Sequence, residues 1–421
     1  MSRDAEPTID SAIQDVRQHA QRARGAAAAL RAAGDEQIDD ALRAMAGRLS
    51  RAAGPVLTAN AEDVRAAEAN GMSAGLVDRL RLSPARLAGI AEQLTTLAQV
   101  PAGDRESYVR DLPDGSQVFQ RSVPVGVVGA IFEARPNVTV DVASQLLKAR
   151  SAGVLRTGSA ALGSAQALVE HVIAPSLSVA GLPVDAVQLI PAPGRVYGDA
   201  LLSVPELVRL VIVRGSGDTT RRLAALGAEH GVRVLAHADG GGVLYLHRAA
   251  EKQVALDLVR QGLDRLGVCN RLNLLLADTD AWDRLGEAVR ATLGELGVAL
   301  SEAPYDHPVG LEWALSDDHQ ATVTLALVDG PTAATALAAE ETSGLAATIC
   351  TADPAAAELF LDASTGTGAF WNVSTRLLDG YRLLGLPETG INVDNVPGPR
   401  GPVTFSDLAL RQFVVRPADA S

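Results

Sequence analysis

Cys269 stands in the run LGVCNRLNLLL, at the loop end of a helix-like segment and just before an apolar, strand-like one. Gly267 and Asn270 flank it. An α/β enzyme places reacting groups at such junctions, and a thiolate is a strong nucleophile for acyl transfer. The competing reading is an inert buried residue, the usual fate of a free cysteine. The second cysteine, Cys350, lies in the apolar run AATICTAD and reads as such a filler. Position alone leaves both readings of Cys269 open.

Three further stretches carry chemistry-bearing side chains. In VGVVGAIFEARPNVTVDVASQLLKA a strand ends, a loop carries Arg135, Pro136 and Asn137, and a helix begins. Such a loop can aim an amide and a guanidinium into the cleft at the strand ends. Asn137 then serves either as a helix cap or as a donor to a developing oxyanion. The runs VLRTGSAALG and VIVRGSGDTT each read as strand, Gly/Ser turn and helix, a pattern that offers backbone N–H groups to a phosphate. Neither has the G-x-G-x-x-G spacing, so taken singly each reads as an ordinary turn before a cofactor loop. H-E-x-x-H, C-x-x-C and P-loop motifs are absent, and seven scattered histidines give no metal-ligand spacing, so no metal is expected.

The elements that must position these groups follow from periodicity. Residues 8–107 read as helices, rich in Ala with spaced charges. RAMAGRLSRAAGPVLTANAEDVRAAEANG ends at Gly71 as a helix does, and Ser83 with Pro84 marks a helix start. Residues 109–123 read as two strand arms around an Asp-Gly turn. Beyond them, continuous Val/Ile/Leu runs alternate with helix-like segments, which indicates βαβ units and parallel sheet. A second α/β series begins near residue 250, with strands expected at LNLLLAD, ATVTLALVDG, LAATICTAD and TGAFWNVS. Residues 410–416 offer one more strand.

Bulk properties bound the function. The chain has 421 residues, 47% of them hydrophobic but only 3% aromatic, so a large core must be built from Ala, Leu and Val. A net charge of −13 argues against nucleic acid and acidic membranes as partners, though not against an anionic small molecule held locally. Two cysteines make no disulfide framework, and the N-terminal residues show no apolar signal segment. The longest apolar run, VPVGVVGAIF, is too short to cross a bilayer. A cytoplasmic protein is expected.

Taken together, the block RSVPVGVVGAIFEARPNVTVDVASQLLKA, with GVCNRLNLLL, NVSTRLLDG and PRGP, closely resembles the glutamate-5-semialdehyde dehydrogenases, or γ-glutamyl phosphate reductases, of the aldehyde dehydrogenase superfamily. The resemblance runs over roughly residues 10–415. It implies an α/β fold: a Rossmann-type cofactor domain (1–108 and 124–245), an α/β catalytic domain (246–395), and a small β oligomerisation flap (109–123 and 396–421). It implies NADPH-dependent reduction of an acyl phosphate through a cysteine thioester, as in proline biosynthesis. Cys269 matches the family nucleophile, and Asn137 the oxyanion donor that acts with the Cys269 N–H. Arg156, Gly158 and Ser159, with Arg214, Gly215, Ser216 and Gly217, match the nucleotide-binding turns. Arg135, Asn372, Ser374, Thr375, Arg376 and Arg400 match substrate positions. A homodimer or dimer of dimers is implied, with an acyl (glutamate) kinase as a further partner.

The sequence also departs from the family pattern. GGGVLYLHR replaces a Gly-x-Cys-His segment, with Val243 and Leu244 in it, and SGLAATIC replaces a His-Ser-acid motif. Glu388 and Arg400 are kept, but the nearby Gln-Lys pair and a His are not. Ala160 and Ala161 stand where the cofactor turn usually has an acid. These departures bear on the acyl group and on the choice of NADPH. They keep two alternatives open: a paralogue acting on another acyl phosphate or aldehyde, and a silent scaffold that binds an acyl kinase.

Overall fold

The computed structural model describes residues 7–72, 74–215, 217–237, 240–313, 321–395 and 398–417. The chain divides into two compact units, residues 1–236, 385–390 and 403–421 forming one and residues 237–384 and 391–402 the other.

The first unit opens with five helices: α1 (Ile9–Ala32), α2 (Asp35–Arg51), α3 (Ala53–Ala69), α4 (Ala74–Leu80) and α5 (Pro84–Gln99). α1 buries Ala12, Val16, Ala20, Ala23, Ala27 and Leu30, a stripe at three- and four-residue spacing. The Ser83 hydroxyl accepts from the Arg86 N–H and Pro84 takes the first helical position, as expected. The helical run expected to end at Gly71 is broken at Ala52, between α2 and α3. Pro55 explains the break. It lacks an N–H and its ring would strike the carbonyl four residues back, that of Arg51, the last residue of α2. Gly71 then follows α3 with φ +76°, the left-handed conformation that helix ends favour.

A three-stranded antiparallel sheet follows, built from β1 (Glu106–Asp111), β2 (Gln117–Pro124) and the late strand β16 (Ala409–Arg416). Its β1–β2 turn carries Gly115 at φ +84° after Asp114, whose carboxylate accepts from the Ser116 N–H. The arms are open to solvent, with Tyr108, Phe413 and Val415 all more than half exposed. The main sheet of this unit has the order β5-β4-β3-β6-β7, from β3 (Val127–Phe132), β4 (Ala152–Thr157), β5 (Val187–Leu189), β6 (Leu210–Arg214) and β7 (Arg233–His237). β3 pairs in parallel with both β4 and β6. All residues of β3 and β4 are buried, which is why these strands read as unbroken apolar runs.

The second unit is a six-stranded sheet of order β10-β11-β9-β8-β12-β13, parallel at every pairing. Its strands are β8 (Gly242–Leu246), β9 (Leu272–Asp278), β10 (Ala299–Ser301), β11 (Thr322–Val328), β12 (Ala346–Cys350) and β13 (Gly368–Trp371). Alternate residues face opposite ways: Leu244 and Leu246 join one apolar cluster, Val243 and Tyr245 the other. Cys350 is fully buried in the first of these. The short edge strand β10 was not foreseen from the sequence. A ribbon of β14 (Gly390–Asn392) and β15 (Gly401–Val403) completes the strands. Among the described residues, no helix is long and apolar enough to cross a membrane.

Candidate active site

In the first unit the register of the sheet builds a crevice. Phe132 at the end of β3 pairs with Thr157 at the end of β4 and with Arg214 at the end of β6. Three strands therefore stop level, and the loops beginning at Glu133, Gly158 and Gly215 emerge side by side at their carboxyl ends. Open α/β sheets bind ligands at this edge. Gly158 lies against the backbone of Glu133 and Ala134, and its own N–H bonds to the Phe132 carbonyl. Gly215 faces the Glu133 carboxylate. Ala134 is held at φ +45°, a left-handed conformation that a non-glycine residue adopts only under constraint.

Asn137 is the first residue of helix α6 (Asn137–Lys148), and Pro136 rather than Asn137 takes the cap position. The cap reading of Asn137 is therefore corrected: its amide does not accept from the helix but donates from Nδ2 to Asp141 Oδ2 at 2.9 Å. Arg135 is half-buried beside it. Arg156 is buried, with Nη2 donating to the Gly194 carbonyl at 2.8 Å and Nε without a partner among the described residues. Burial pulls the Arg156 guanidinium below its usual range, and Glu133 works against that pull. Ser159 and Gly217 open the helical segments that follow the two turns, and Ser216 lies outside the described residues. Two glycines at level strand ends, and a buried guanidinium nitrogen without a partner among the described residues, fit a dinucleotide laid across this edge.

In the second unit the geometry is reversed. Cys269 lies in the loop before β9, at the amino end of its strand, and neighbouring β8 and β12 begin alongside it, at Gly242 and Ala346. The loop is pinned from several sides. The Cys269 carbonyl accepts from the Gly241 N–H at 2.7 Å. Asn270 Nδ2 donates to the Leu378 carbonyl at 2.9 Å, and Thr375 Oγ1 donates to the Asn270 carbonyl at 2.9 Å. Arg376 Nη1 donates to Asn270 Oδ1, while its Nε donates to Asp264 at 2.7 Å. Ser374, Thr375 and Arg376 are all buried, so in this structure Thr375 and Arg376 serve the thiol loop. Asn372 clamps the Thr351 backbone, accepting from its N–H and donating to its carbonyl. Arg400 is exposed, with one bond from Nη1 to the Thr365 carbonyl.

Cys269 itself is half-buried, against Leu345, Leu378 and Ile391. Cys350 differs on every count: it is enclosed, and burial pushes its thiol up to about 12, so it carries no thiolate at neutral pH.

Sequence reasoning missed three neighbours. Gly240 fits only because it has no side chain, since a Cβ there would fall 2.6 Å from the Cys269 Cα and 2.5 Å from Glu312 Oε1. Glu312 Oε2 accepts from the Gly240 N–H at 2.7 Å, and Ser343 Oγ donates to the Gly240 carbonyl at 3.0 Å. The glycine run at 240–242 entered the sequence reading as a departure from the family pattern. No local signal marks Glu312 or Ser343, whereas Asp141 carries one, its four-residue offset from Asn137 on a helix. Among the described residues, no group of three or more His, Cys, Asp or Glu side chains is placed to hold a metal ion.

A half-buried loop thiol suits covalent acyl chemistry, and a strand-end crevice suits a dinucleotide. The aldehyde dehydrogenase family signature matches residues 4–307. The chain belongs to the aldehyde dehydrogenase family. Within it, the enzyme is 35% identical to the gamma-glutamyl phosphate reductase of Leifsonia xyli over 408 residues, 94% of this chain and 95% of that protein. Its fold matches the gamma-glutamyl phosphate reductase of Thermotoga maritima with a TM-score of 0.85 at 24% identity, covering 97% of this chain and 99% of that one. An engineered glycolyl-CoA reductase with bound NADP+ matches with a TM-score of 0.72 at 15% identity, over 95% and 96% of the two chains. The enzyme is an oxidoreductase of the gamma-glutamyl phosphate reductase type, and the expected aldehyde dehydrogenase-like α/β fold is the one observed.

Proposed function

We propose that the enzyme reduces γ-glutamyl phosphate, or a close acyl phosphate, to its semialdehyde with NADPH, as proline biosynthesis requires. The observation that carries this reading is the half-buried Cys269 on a loop pinned at its own carbonyl and at Asn270, in a chain that matches gamma-glutamyl phosphate reductases along nearly its whole length. Coverage of that extent favours this activity over a paralogue with another acyl substrate and over a silent scaffold.

Cys269 Sγ attacks the acyl carbon, the carbon–oxygen bond to phosphate breaks, and inorganic phosphate departs with the bonding pair. NADPH, held by the turns at 156–159 and 214–217, would supply the hydride, two electrons, that the thioester carbon takes up. The carbon–sulfur bond then breaks, the thiolate returns to Cys269 and the aldehyde is freed. Cysteine suits both halves, being a strong nucleophile and a good leaving group. Asn137 Nδ2 donates to the acyl oxygen as charge builds on it. Arg135 and Arg400 meet the anionic groups of the substrate, Ser374, Thr375 and Arg376 keep the thiol side of that site in shape, and Asn372 fixes Thr351 at the far end of β12. Gly158, Ser159, Arg214, Gly215, Ser216 and Gly217 hold the dinucleotide, with Arg156 beneath the first turn.

The test runs the reaction in reverse, with glutamate semialdehyde, phosphate and either NADP or NAD, following nucleotide reduction. Phosphate-dependent reduction of NADP, faster than that of NAD, is expected. Equal or better turnover with NAD would overturn the NADPH preference, and no phosphate dependence would overturn the acyl phosphate itself.

The labile substrate calls for an acyl (glutamate) kinase as its source, and two free thiols suit a reducing cytoplasm. A homodimer or dimer of dimers is the working assembly. The three-stranded sheet leaves Tyr108 53%, Phe413 58% and Val415 55% exposed, and β1 has an open edge. Light scattering at micromolar concentration should show at least a dimer, and monomer alone would refute it.

A further inference from the structure

Asn137 spends one hydrogen bond on its own helix, from Nδ2 to Asp141 Oδ2 at 2.9 Å, one turn along α6. A side-chain amide has nearly the same outline with nitrogen and oxygen exchanged, so its neighbours choose its orientation. A carboxylate only accepts. It therefore selects Nδ2 and leaves the second Nδ2 hydrogen for another acceptor. A protonated carboxyl both donates and accepts, and so tolerates either orientation.

The surroundings of Asp141 are built rather than incidental. Nearly every other residue of α6 is buried, while Asp141 keeps some open surface. Charged groups face it from three directions: Arg214 from the end of β6, Glu388 from the segment 385–390, and Arg135 from the loop before α6. That segment is tied to the same helix, because Gln145 Nε2 donates to the Pro387 carbonyl at 2.8 Å. Burial is the largest influence on the carboxyl. Arg214 pulls it down, Glu388 pushes it up, and Asn137 and Arg135 pull it down again. The balance leaves it raised to about 7.

We propose that Asp141 is a positioning residue for the reduction, its carboxylate holding the Asn137 amide with Nδ2 toward the acyl oxygen. The proposal rests on Asn137 being the oxyanion donor. It goes further by making that donor conditional on the charge of a second residue. The ionised fraction of Asp141 rises with pH, so the correctly oriented fraction of Asn137 rises too, and kcat climbs through pH of about 7.

The test uses the purified full chain in the reverse assay at saturating substrate. Asp141→Asn keeps the shape but cannot ionise. Its kcat at pH of about 8 should fall about tenfold with little change in KM, as for a misplaced group. Its profile should lose the rise near neutrality. Asn137→Ala should fall about 10²–10³-fold. It should lose the same rise although Asp141 remains, and this second reading holds even if Asp141→Asn folds poorly. The double variant should fall no further than Asn137→Ala alone. Wild-type kcat in Asp141→Asn, additive losses in the double variant, or an unchanged rise in Asn137→Ala would each overturn the proposal. If Asn137→Ala keeps wild-type kcat, the oxyanion assignment falls and this proposal with it. If only Asn137→Ala is impaired, the positioning role alone falls.

Discussion

Replacing Cys269 by Ala is expected to abolish turnover while leaving the melting temperature and nucleotide binding nearly unchanged. The side chain is half-buried in a loop held by backbone and by Asn270, so losing its sulfur removes little packing. Cys269→Ser should be almost as inactive, because an alkoxide is far harder to form than a thiolate at neutral pH. Cys350→Ala supplies the contrast. That thiol is enclosed in an apolar cluster and held protonated by burial, so the variant should keep its kcat and lose about 1 kcal/mol of stability. Brief labelling with iodoacetamide, read by mass spectrometry, should modify Cys269 well before Cys350, and bound substrate should slow it. Wild-type turnover in Cys269→Ala would end the thioester mechanism.

Gly240→Ala is expected to cost at least about 10²-fold in kcat, though it adds a single methyl group remote in sequence from the nucleophile. The added Cβ would sit 2.6 Å from the Cys269 Cα, closer still to its carbonyl oxygen, and 2.5 Å from Glu312 Oε1. A backbone neighbour cannot swing aside as a flexible side chain can, so the thiol loop must move. Gly89→Ala in α5 is the control, since nothing lies within 4 Å of the added carbon, and that change should leave kcat alone. Kinetics of the two variants, with the alkylation rate of Cys269, check the claim. Normal turnover in Gly240→Ala would mean that the loop tolerates displacement.

These two predictions mark where the sequence was informative and where it was not. Cys269 was legible as a thiol between helix and strand, and Asn137 as a residue at a strand-to-helix turn, because both depend on local pattern. The runs of β3, β4 and β9 were legible because strands buried on both faces need no polar alternation. Gly240 was not, because it meets Cys269 only through the order of the sheet, in which β8 lies between β9 and β12. Sheet order is a long-range outcome with no local signal. Glu312 stayed hidden for the same reason. Thr375 and Arg376 were legible only as residues near a substrate, and their bonds to Asn270 became visible once the segments were folded together. The break at Ala52 was readable in retrospect from Pro55 and was passed over in favour of an uninterrupted apolar pattern.

The first unit is assembled from three separate stretches of chain, and the last of them contains β16. A ribosome releases these stretches in order, with all of residues 237–384 made in between. During that interval β2 lacks the strand that will cover its second edge, and Asp141 lacks Glu388. The nascent protein therefore exposes the second edge of β2 until its final residues emerge, an edge open to pairing with other chains. A chain cut short before residue 409 keeps every stretch of the second unit but lacks β16, so its β2 would keep a bare second edge.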